Sequence, residues 1–348
     1  MITIKEIAKR ASVSIGTVDR IIHNRGGCSE KTRQKVTKII EETGFKPNVM
    51  ASHLVKSRSY AIGIVMPFPY QNDNFWELSR TGIERGRSSF PHFDIKIKYY
   101  FYNRYADLTF FTVFEQAMGD GNDGLLIAPV LSLPAQEMLQ KHKTDIPMVF
   151  FNASLPDSSI ASFVGQDCFM AGMTVGRLMS ILTGNEGNIA LIDISPEDYH
   201  INIRAQGFEQ FFAGNARIQI HRFSMPNSED FSDFESLCTT IHDQLPDLKG
   251  MFIPNASTYR FAQAIDRIPF KNKVFIIGYD LIKENIECLK QGKIEFIINQ
   301  QPIRQGIEAL TILMNHIIHR EVDRKELLLP IEIVARENLD SFTNIIRP

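Results

Sequence analysis

Apolar positions follow two different rhythms along this chain. In the first 44 residues they recur at helical spacing. Thr3 and Glu6 form a T-x-x-E capping box, which predicts a helix from about Ile4 with Ile4, Ile7 and Ala8 on one face. Ala11-Ser12-Val13 interrupts the period, Ser14 offers a second N-cap, and Val18, Ile21 and Ile22 resume it. A third helix is predicted from Ser29 through Val36, Ile39 and Ile40 to Gly44, a residue that tolerates a left-handed C-terminal conformation.

From Tyr60 the rhythm changes to short β-branched or aromatic runs separated by helical stretches. Strands are expected at AIGIVMP (61–67), DIKIKYYFY (94–102), GLLIAPV (124–130), PMVFFN (147–152) and NIALIDI (188–194), then at IQIHRF (218–223), GMFIP (250–254), KVFIIGYD (273–280) and IEFIINQ (294–300). Such alternation builds right-handed βαβ units, and the number of strands suits two doubly wound parallel sheets better than one. The fold class is α/β, with a three-helix module in front.

Length agrees with this division, because 348 residues exceed what a single core usually holds. Charge sharpens it. Residues 1–57 carry 11 Lys and Arg against 5 Asp and Glu, whereas the rest carries 27 against 35, so a small basic module joins an acidic body. A basic block of that kind suits a polyanion, and the acidic remainder argues against wrapping nucleic acid along the whole length. Cys28, Cys168, Cys238 and Cys288 lack any paired spacing for zinc or redox work and read as reduced packing residues. Neither a signal-peptide-like start nor a membrane-length apolar run is present, so a cytoplasmic protein, nucleoid-associated when on DNA and with no membrane partner, is expected.

The second helix carries the chemistry of the basic module. With Val18, Ile21 and Ile22 facing inward, Ile15, Gly16, Thr17, Asp19, Arg20 and His23 are left for other faces. A helix-turn-helix places the N-terminal part of such a helix in the major groove, where Arg bonds guanine and an apolar side chain meets a thymine methyl. The stretch ITIKEIAKRASVSIGTVDRIIHNRGGCSEKTRQKVTKIIEETGFKPNVMASHL resembles the headpiece of the lactose-repressor (LacI/GalR) family of transcription regulators, including the G-F-K-P-N signature at Gly44 to Asn48. The resemblance implies that Thr3, Ser14, Thr17, Ser29 and Thr32 contact phosphates, and that Ile15, Gly16 and Arg20 face base edges, with His23 nearby. It also implies a hinge helix within 47–57, in which Asn48 and Ala51 belong to the P-N-x-x-A-x-x-L pattern and Leu54 wedges into the minor groove. Two positions depart from the pattern. Gly16 offers no side chain where relatives often read a base, and Asp19 either accepts from a cytosine amino group or orients Arg20 or His23.

In doubly wound folds ligands sit at the carboxyl edges of the sheets. The first such edge reads Phe68-Pro69-Tyr70-Gln71-Asn72-Asp73-Asn74-Phe75-Trp76 and holds the only tryptophan. Aromatics beside amides and an acid suit a sugar, whose C–H face stacks while its hydroxyls take directional hydrogen bonds; Phe68, Tyr70, Asn74, Phe75 and Trp76 are the candidates. The region also resembles periplasmic sugar-binding proteins, through V-G-Q-D at Val164 to Asp167, R-A-Q-G-F at Arg204 to Phe208, Asn255 after GMFIP, I-G-Y-D ending at Asp280, and Q-P-I-R-Q-G at Gln301 to Gly306. The resemblance implies that Asn152, Asp167, Arg204, Asn255, Asp280 and Gln301 line an interlobe cleft. It also implies two lobes of discontinuous chain, about 60–163 plus 296–325 and about 164–295 plus 326–348, behind a DNA-binding domain at 1–46 and the hinge at 47–57.

Enzyme motifs are missing: there is no G-x-G-x-x-G after the first strand, no P-loop, no G-x-S-x-G and no H-E-x-x-H. The chain is therefore expected to be no enzyme, without catalytic residues, cofactor or metal. The expected function is a ligand-responsive transcription regulator, a repressor, that binds a near-palindromic operator DNA as a homodimer and responds to a sugar, sugar acid or cyclitol. A nucleobase effector and a solute-binding protein with no DNA role are the alternatives.

Overall fold

The computed structural model describes residues 4–22, 28–43, 59–142, 145–155, 161–194, 198–225, 228, 230–320 and 326–346. The chain divides into two units, the first running to Arg58 and the second beginning at Ser59.

The first unit contains α1 (Ile4–Ala11), α2 (Ile15–Ile22) and α3 (Glu30–Thr43). Ile7, Ala8, Ala11, Val18, Ile21 and Val36 form its buried core, with Val13, Ile22, Cys28, Ile39 and Ile40 packed half-buried around it. Ser12 turns the chain between α1 and α2 with φ +57°. Ser14 then opens α2, its Oγ accepting from the Thr17 amide at 3.1 Å, and Ser29 opens α3 by accepting from the Thr32 amide at 3.3 Å. Thr3 of the expected capping box, the Gly44 helix end and the hinge at 47–57 lie outside the described residues.

The second unit holds two six-stranded sheets. The first sheet contains β1 (Ser59–Pro67), β2 (Asp94–Tyr102), β3 (Gly124–Ile127), β4 (Met148–Phe151), β5 (Ala161–Gly165) and β11 (Glu326–Leu328), in the order β11-β5-β4-β3-β1-β2. The second contains β6 (Gly187–Ile194), β7 (Ile218–Met225), β8 (Gly250–Phe252), β9 (Phe275–Tyr279), β10 (Phe296–Asn299) and β12 (Glu332–Val334), in the order β12-β10-β9-β8-β6-β7. Sequence texture sets these places. The near-continuous apolar run of β1 is buried on both faces between β3 and β2, whereas the alternating β2 and β7 show one face outward at the edges. Pairing is parallel between β1 and β3, β3 and β4, β4 and β5, and β5 and β11; in the second sheet β12 alone runs antiparallel, against β10.

The intervening helices are α4 (Phe75–Ser88), α5 (Asp107–Gly119), α6 (Ser132–Lys141), α7 (Cys168–Thr183), α8 (Tyr199–Phe212), α9 (Phe231–Gln244), α10 (Thr258–Ile265), α11 (Lys283–Lys290), α12 (Pro302–His319) and α13 (Leu339–Ile346). Helices α7 and α8 cross at backbone contact. A Cβ added to Gly172 would lie 2.0 Å from the Arg204 carbonyl oxygen, and one on Gly207 would lie 2.1 Å from that of Phe169. This is the reason for glycine in R-A-Q-G-F: it seats the helix that carries Arg204.

The chain passes between the sheets after β5, after β10 and after β11, so Phe296–Asn299 belongs to the second sheet and Glu326–Leu328 to the first. The expected passages near 296 and 325 fall short of these points, because each strand completes its ladder before leaving at its carboxyl end. Gln166 stitches the three crossover segments together by donating to the carbonyls of Asn299 and Pro330, both at 2.9 Å. Among the described residues no helix is long and apolar enough to cross a membrane.

Candidate functional site

In the first unit the outward side of α2 presents Ile15, 48% exposed, together with exposed Gly16 and Arg20, while Val18 and Ile21 are buried beneath. Ile15 is costly to expose on an isolated module, and a thymine methyl is the kind of surface it fits. The hydroxyls of Ser14 and Thr17 lie 2.9 Å apart at the start of α2, and those of Ser29 and Thr32 lie 2.8 Å apart at the start of α3. Two helix N-termini thus carry paired hydroxyls, an arrangement suited to phosphate oxygens. Thr3, His23, Asn48, Ala51 and Leu54 lie outside the described residues, as does the side chain of Asp19.

In the second unit the carboxyl ends of the strands of both sheets meet, and the backbone there is held in unusual conformations. Asn152 after β4, Asp280 after β9 and Gln301 after β10 have φ of +68°, +71° and +57°, and Asn72, Asp73 and Asn74 after β1 form a left-handed run. Such strain persists only where surrounding structure fixes it, and it clusters at ligand sites.

Gln300 is the hub. Its Oε1 accepts from Asn152 Nδ2 at 3.0 Å and from Arg204 Nη2 at 2.8 Å, and its Nε2 donates to Asp280 Oδ1 at 2.7 Å. Arg204, 1% exposed, also donates from Nη1 to the Pro254 carbonyl at 2.9 Å and lies 4.1 Å over the Tyr279 ring. Burial pushes the Asp280 carboxyl up to about 6, against the opposing pull of Arg204. His200, one turn before Arg204, is held well below the usual imidazole range by burial and by the nearby Arg204 and Arg104 guanidiniums, so it is neutral near pH 7. Around this cluster Asn152 Oδ1, His200 Nδ1, Arg204 Nε and Tyr279 OH are buried polar atoms with no protein partner among the described residues. Such atoms are costly to bury unless something else meets them. A cavity of ≈ 310 Å³ adjoins, lined from one lobe by Ser154 and Phe163 and from the other by Gln166, Asp167, Cys168 and His200.

Two further contacts join the lobes. Arg104, after β2, pairs with Asp198, which precedes α8; the side chains are 3% and 2% exposed. Asp73 accepts from Tyr259 OH at 2.9 Å and Arg260 Nη2 at 2.6 Å. Gln71 prepares the first contact, its Oε1 accepting from the Arg104 amide at 3.1 Å. Asn285, fully buried, holds the opposite wall: it accepts from the Tyr259 amide at 2.8 Å and donates to the carbonyls of Ala256, Tyr279 and Asp280.

The candidates from sequence therefore separate. Asn152, Arg204 and Asp280 converge on the hub. Gln301 does not: its side chain donates to the Pro330 carbonyl and accepts from Arg304, and the amide in the cluster is its neighbour Gln300. Asn255 turns inward to accept from the Ser257 amide at 3.0 Å, and Asp167 caps α7 by accepting from the Met170 amide at 2.9 Å while lining the cavity. Phe75 and Trp76 are each 1% exposed and meet edge to face, centroids 5.1 Å apart, so they form a buried wall rather than an open platform. Phe68 and Tyr70 stack on each other at 5.4 Å with Tyr70 63% exposed, and Asn74 is exposed, which leaves these three at the outer rim. Gln300, Arg104, Asp198 and Asn285 are not singled out by the sequence, and Asp73, the acid of the first sheet edge, binds the other lobe. No signal in the residue types marks Gln300: what sets it apart is the left-handed backbone at Gln301. Among the described residues no group of three or more His, Cys, Asp or Glu is placed to hold a metal ion.

Comparison with known proteins agrees with both halves. Residues 62–321 match the periplasmic binding protein domain, and residues 3–48 match the bacterial regulatory proteins, lacI family. The HTH-type transcriptional regulator DegA of Bacillus subtilis is 37% identical over 119 residues, 34% of each chain. The chain thus matches about a third of the length of the first curated relatives. The HTH-type transcriptional regulator pepR1 of Lactobacillus delbrueckii subsp. lactis is 22% identical over 97% of both chains. Among solved structures, a solute-binding protein of an ABC transporter from Burkholderia graminis, in complex with D-arabinose, superposes with a TM-score of 0.74 at 18% identity, covering 82% of this chain and 99% of that one; it speaks for the fold alone.

Proposed function

The chain belongs to the periplasmic binding protein family over residues 62–321 and joins to that domain the helix-turn-helix of the lacI-family bacterial regulators, and from this premise we propose how it works. It is a transcription repressor of the cytoplasm whose affinity for operator DNA is set by a small polyol held between its two lobes. It performs no chemistry of its own.

The observation that carries this reading is the buried hub at Gln300. Asn152, Arg204 and Asp280 meet there from three strand ends or helices, in the company of polar atoms that lack protein partners. Carboxylate, guanidinium, amide and phenol together offer the mixed donors and acceptors that hydroxyls demand. The guanidiniums of the cleft are balanced, Arg104 by Asp198 and Arg204 by Asp280. A balanced site favours an uncharged sugar or cyclitol over a sugar acid, whose extra charge would enter without a free counterion.

Two chains paired through their second units present two α2 helices to a near-palindromic operator. Ligand between the lobes favours one lobe arrangement, and the coupling to DNA is reciprocal. The test is thermal stabilisation of the full chain by D-arabinose, other neutral pentoses and hexoses, myo-inositol, sugar acids and nucleobases, followed by operator affinity with and without any ligand that shifts the melting temperature. A saturable shift by a neutral polyol that also changes operator affinity supports the reading. A shift by nucleobases alone, or one with no effect on DNA binding, overturns the polyol switch.

A further inference from the structure

The crossover segment at 299–301 has two sides. Gln300 faces the cluster described above, whereas Asn299 and Gln301 line a separate cavity of ≈ 230 Å³. That volume is the liquid share of roughly eight water molecules. Both lobes build it: Leu78 on α4 with Ile303 and Arg304 on α12, and Leu281 after β9 with Glu332 on β12 and Phe342 on α13.

Its walls are mainly apolar, but two opposite charges enter it. Glu332 Oε2 accepts from Asn299 Nδ2 at 2.6 Å, and burial raises the carboxyl above its ordinary value despite Asn299 and Arg304. Arg304, half exposed, reaches Gln301 Oε1 at 3.3 Å and lies 3.7 Å from Glu308, loose contacts for a group that makes short, two-pronged bonds when it is fully engaged. A carboxylate and a guanidinium beside leucine, isoleucine and phenylalanine side chains complement a zwitterion with an apolar body.

We propose that this cavity is a second ligand site, which takes an apolar α-amino acid with its ammonium group on Glu332, its carboxylate on Arg304, and its side chain among Leu78, Leu281, Ile303 and Phe342. A molecule that touches both lobes binds one of their arrangements better than any other, so its occupancy biases the same lobe equilibrium that a ligand of the Gln300 cluster uses. The cavity lies across the crossover from that cluster, and the two ligands need not compete.

The experiment is a melting-temperature titration of the full chain with L-leucine and L-phenylalanine, beside N-acetyl-L-leucine, which lacks the ammonium, and L-leucinamide, which lacks the carboxylate. A saturable rise is expected from an unmodified amino acid, weakened about tenfold or more by either blocked form, as for loss of one charge-assisted contact. Glu332→Gln keeps an acceptor for Asn299 and should weaken the amino acid to the same degree, with ligand-free melting and far-ultraviolet circular dichroism checking its fold. Leu78→Trp, which fills the cavity, should remove the response. No saturable shift from either amino acid, an equal shift from the blocked forms, or an undiminished shift in both variants overturns the proposal, and the first two outcomes are read on the unaltered protein.

Discussion

Arg104 and Asp198 form a buried ion pair that joins the two lobes, one residue from the carboxyl end of the first sheet and the other from the start of α8. A buried pair gains little over a well-packed apolar substitute, but removing one partner strands a charge and costs about 3–5 kcal/mol. Arg104→Met alone or Asp198→Leu alone should therefore destabilise the second unit by that amount or release it by opening the lobes, whereas the two together should lose much less. Urea unfolding of the two single variants and the double variant measures the coupling. A coupling below about 1 kcal/mol, the range of exposed pairs, would show that the pair does not hold the lobes.

Asp280 makes stability depend on pH in an unusual direction. Its folded pKa is raised from 3.8 to about 6, so the native state binds a proton more tightly than the unfolded chain. The favourable contribution is complete below about pH 4 and is lost as pH rises through 6, a change of about 3 kcal/mol for a shift of this size. Asp280→Asn should remove that dependence. Asn tolerates the φ of +71°, and its amide oxygen can still accept from Gln300 Nε2. The variant should gain on the parent by about 3 kcal/mol between pH 4 and pH 7 while losing polyol affinity. Parallel stability curves across that window would place the carboxyl in an ordinary state.

Much of the second unit was legible because a parallel sheet buried on both faces needs long apolar strands, and β2 at 94–102 was read to the residue. Strands β5, β11 and β12 are not legible: they are three to five residues long and lack the continuous apolar run that marks the equally short β8, two of them opening on Glu. The site was legible only where one residue carries its own local motif, as Arg204 does beside Gly207. Arg104 and Asp198 are 94 positions apart, and Asp73 and Arg260 are 187 apart, so no local pattern announces either pair. Gln300 was lost to its neighbour because the left-handed turn at Gln301 redirects the side chains.

Gly16 sits in the first turn of α2 with no steric reason to be glycine. An added Cβ would find only Ser14 Oγ, at 3.8 Å, and its φ is not positive. Gly16→Ala should stabilise α2 by up to about 1 kcal/mol, the usual helix cost of glycine. Hydrogen exchange at the α2 amides reads this directly in the full chain. Slower exchange together with weaker operator binding would mean that the bare backbone serves the DNA face; faster exchange would mean that the helix start needs glycine.

Arg20 and Thr32 should fail in different ways if α2 reads bases while the start of α3 holds phosphate. Arg20 is exposed on α2, whose outward side also carries Ile15, and a guanidinium there can bond guanine O6 and N7 together. Thr32 is tied to Ser29 at a helix N-terminus, where its hydroxyl meets backbone oxygen chemistry that every DNA sequence shares. Arg20→Ala should cost about 1–3 kcal/mol on the preferred operator and little on operators altered at the contacted base pair, which relaxes preference at one position per half-site. Thr32→Ala should weaken all operators alike and leave the order of preference unchanged. Binding of both variants to a set of single-base operator changes at one fixed salt concentration separates the roles. A uniform loss for Arg20→Ala would move that residue to the phosphate group, and an altered preference for Thr32→Ala would give the α3 start a share in base reading.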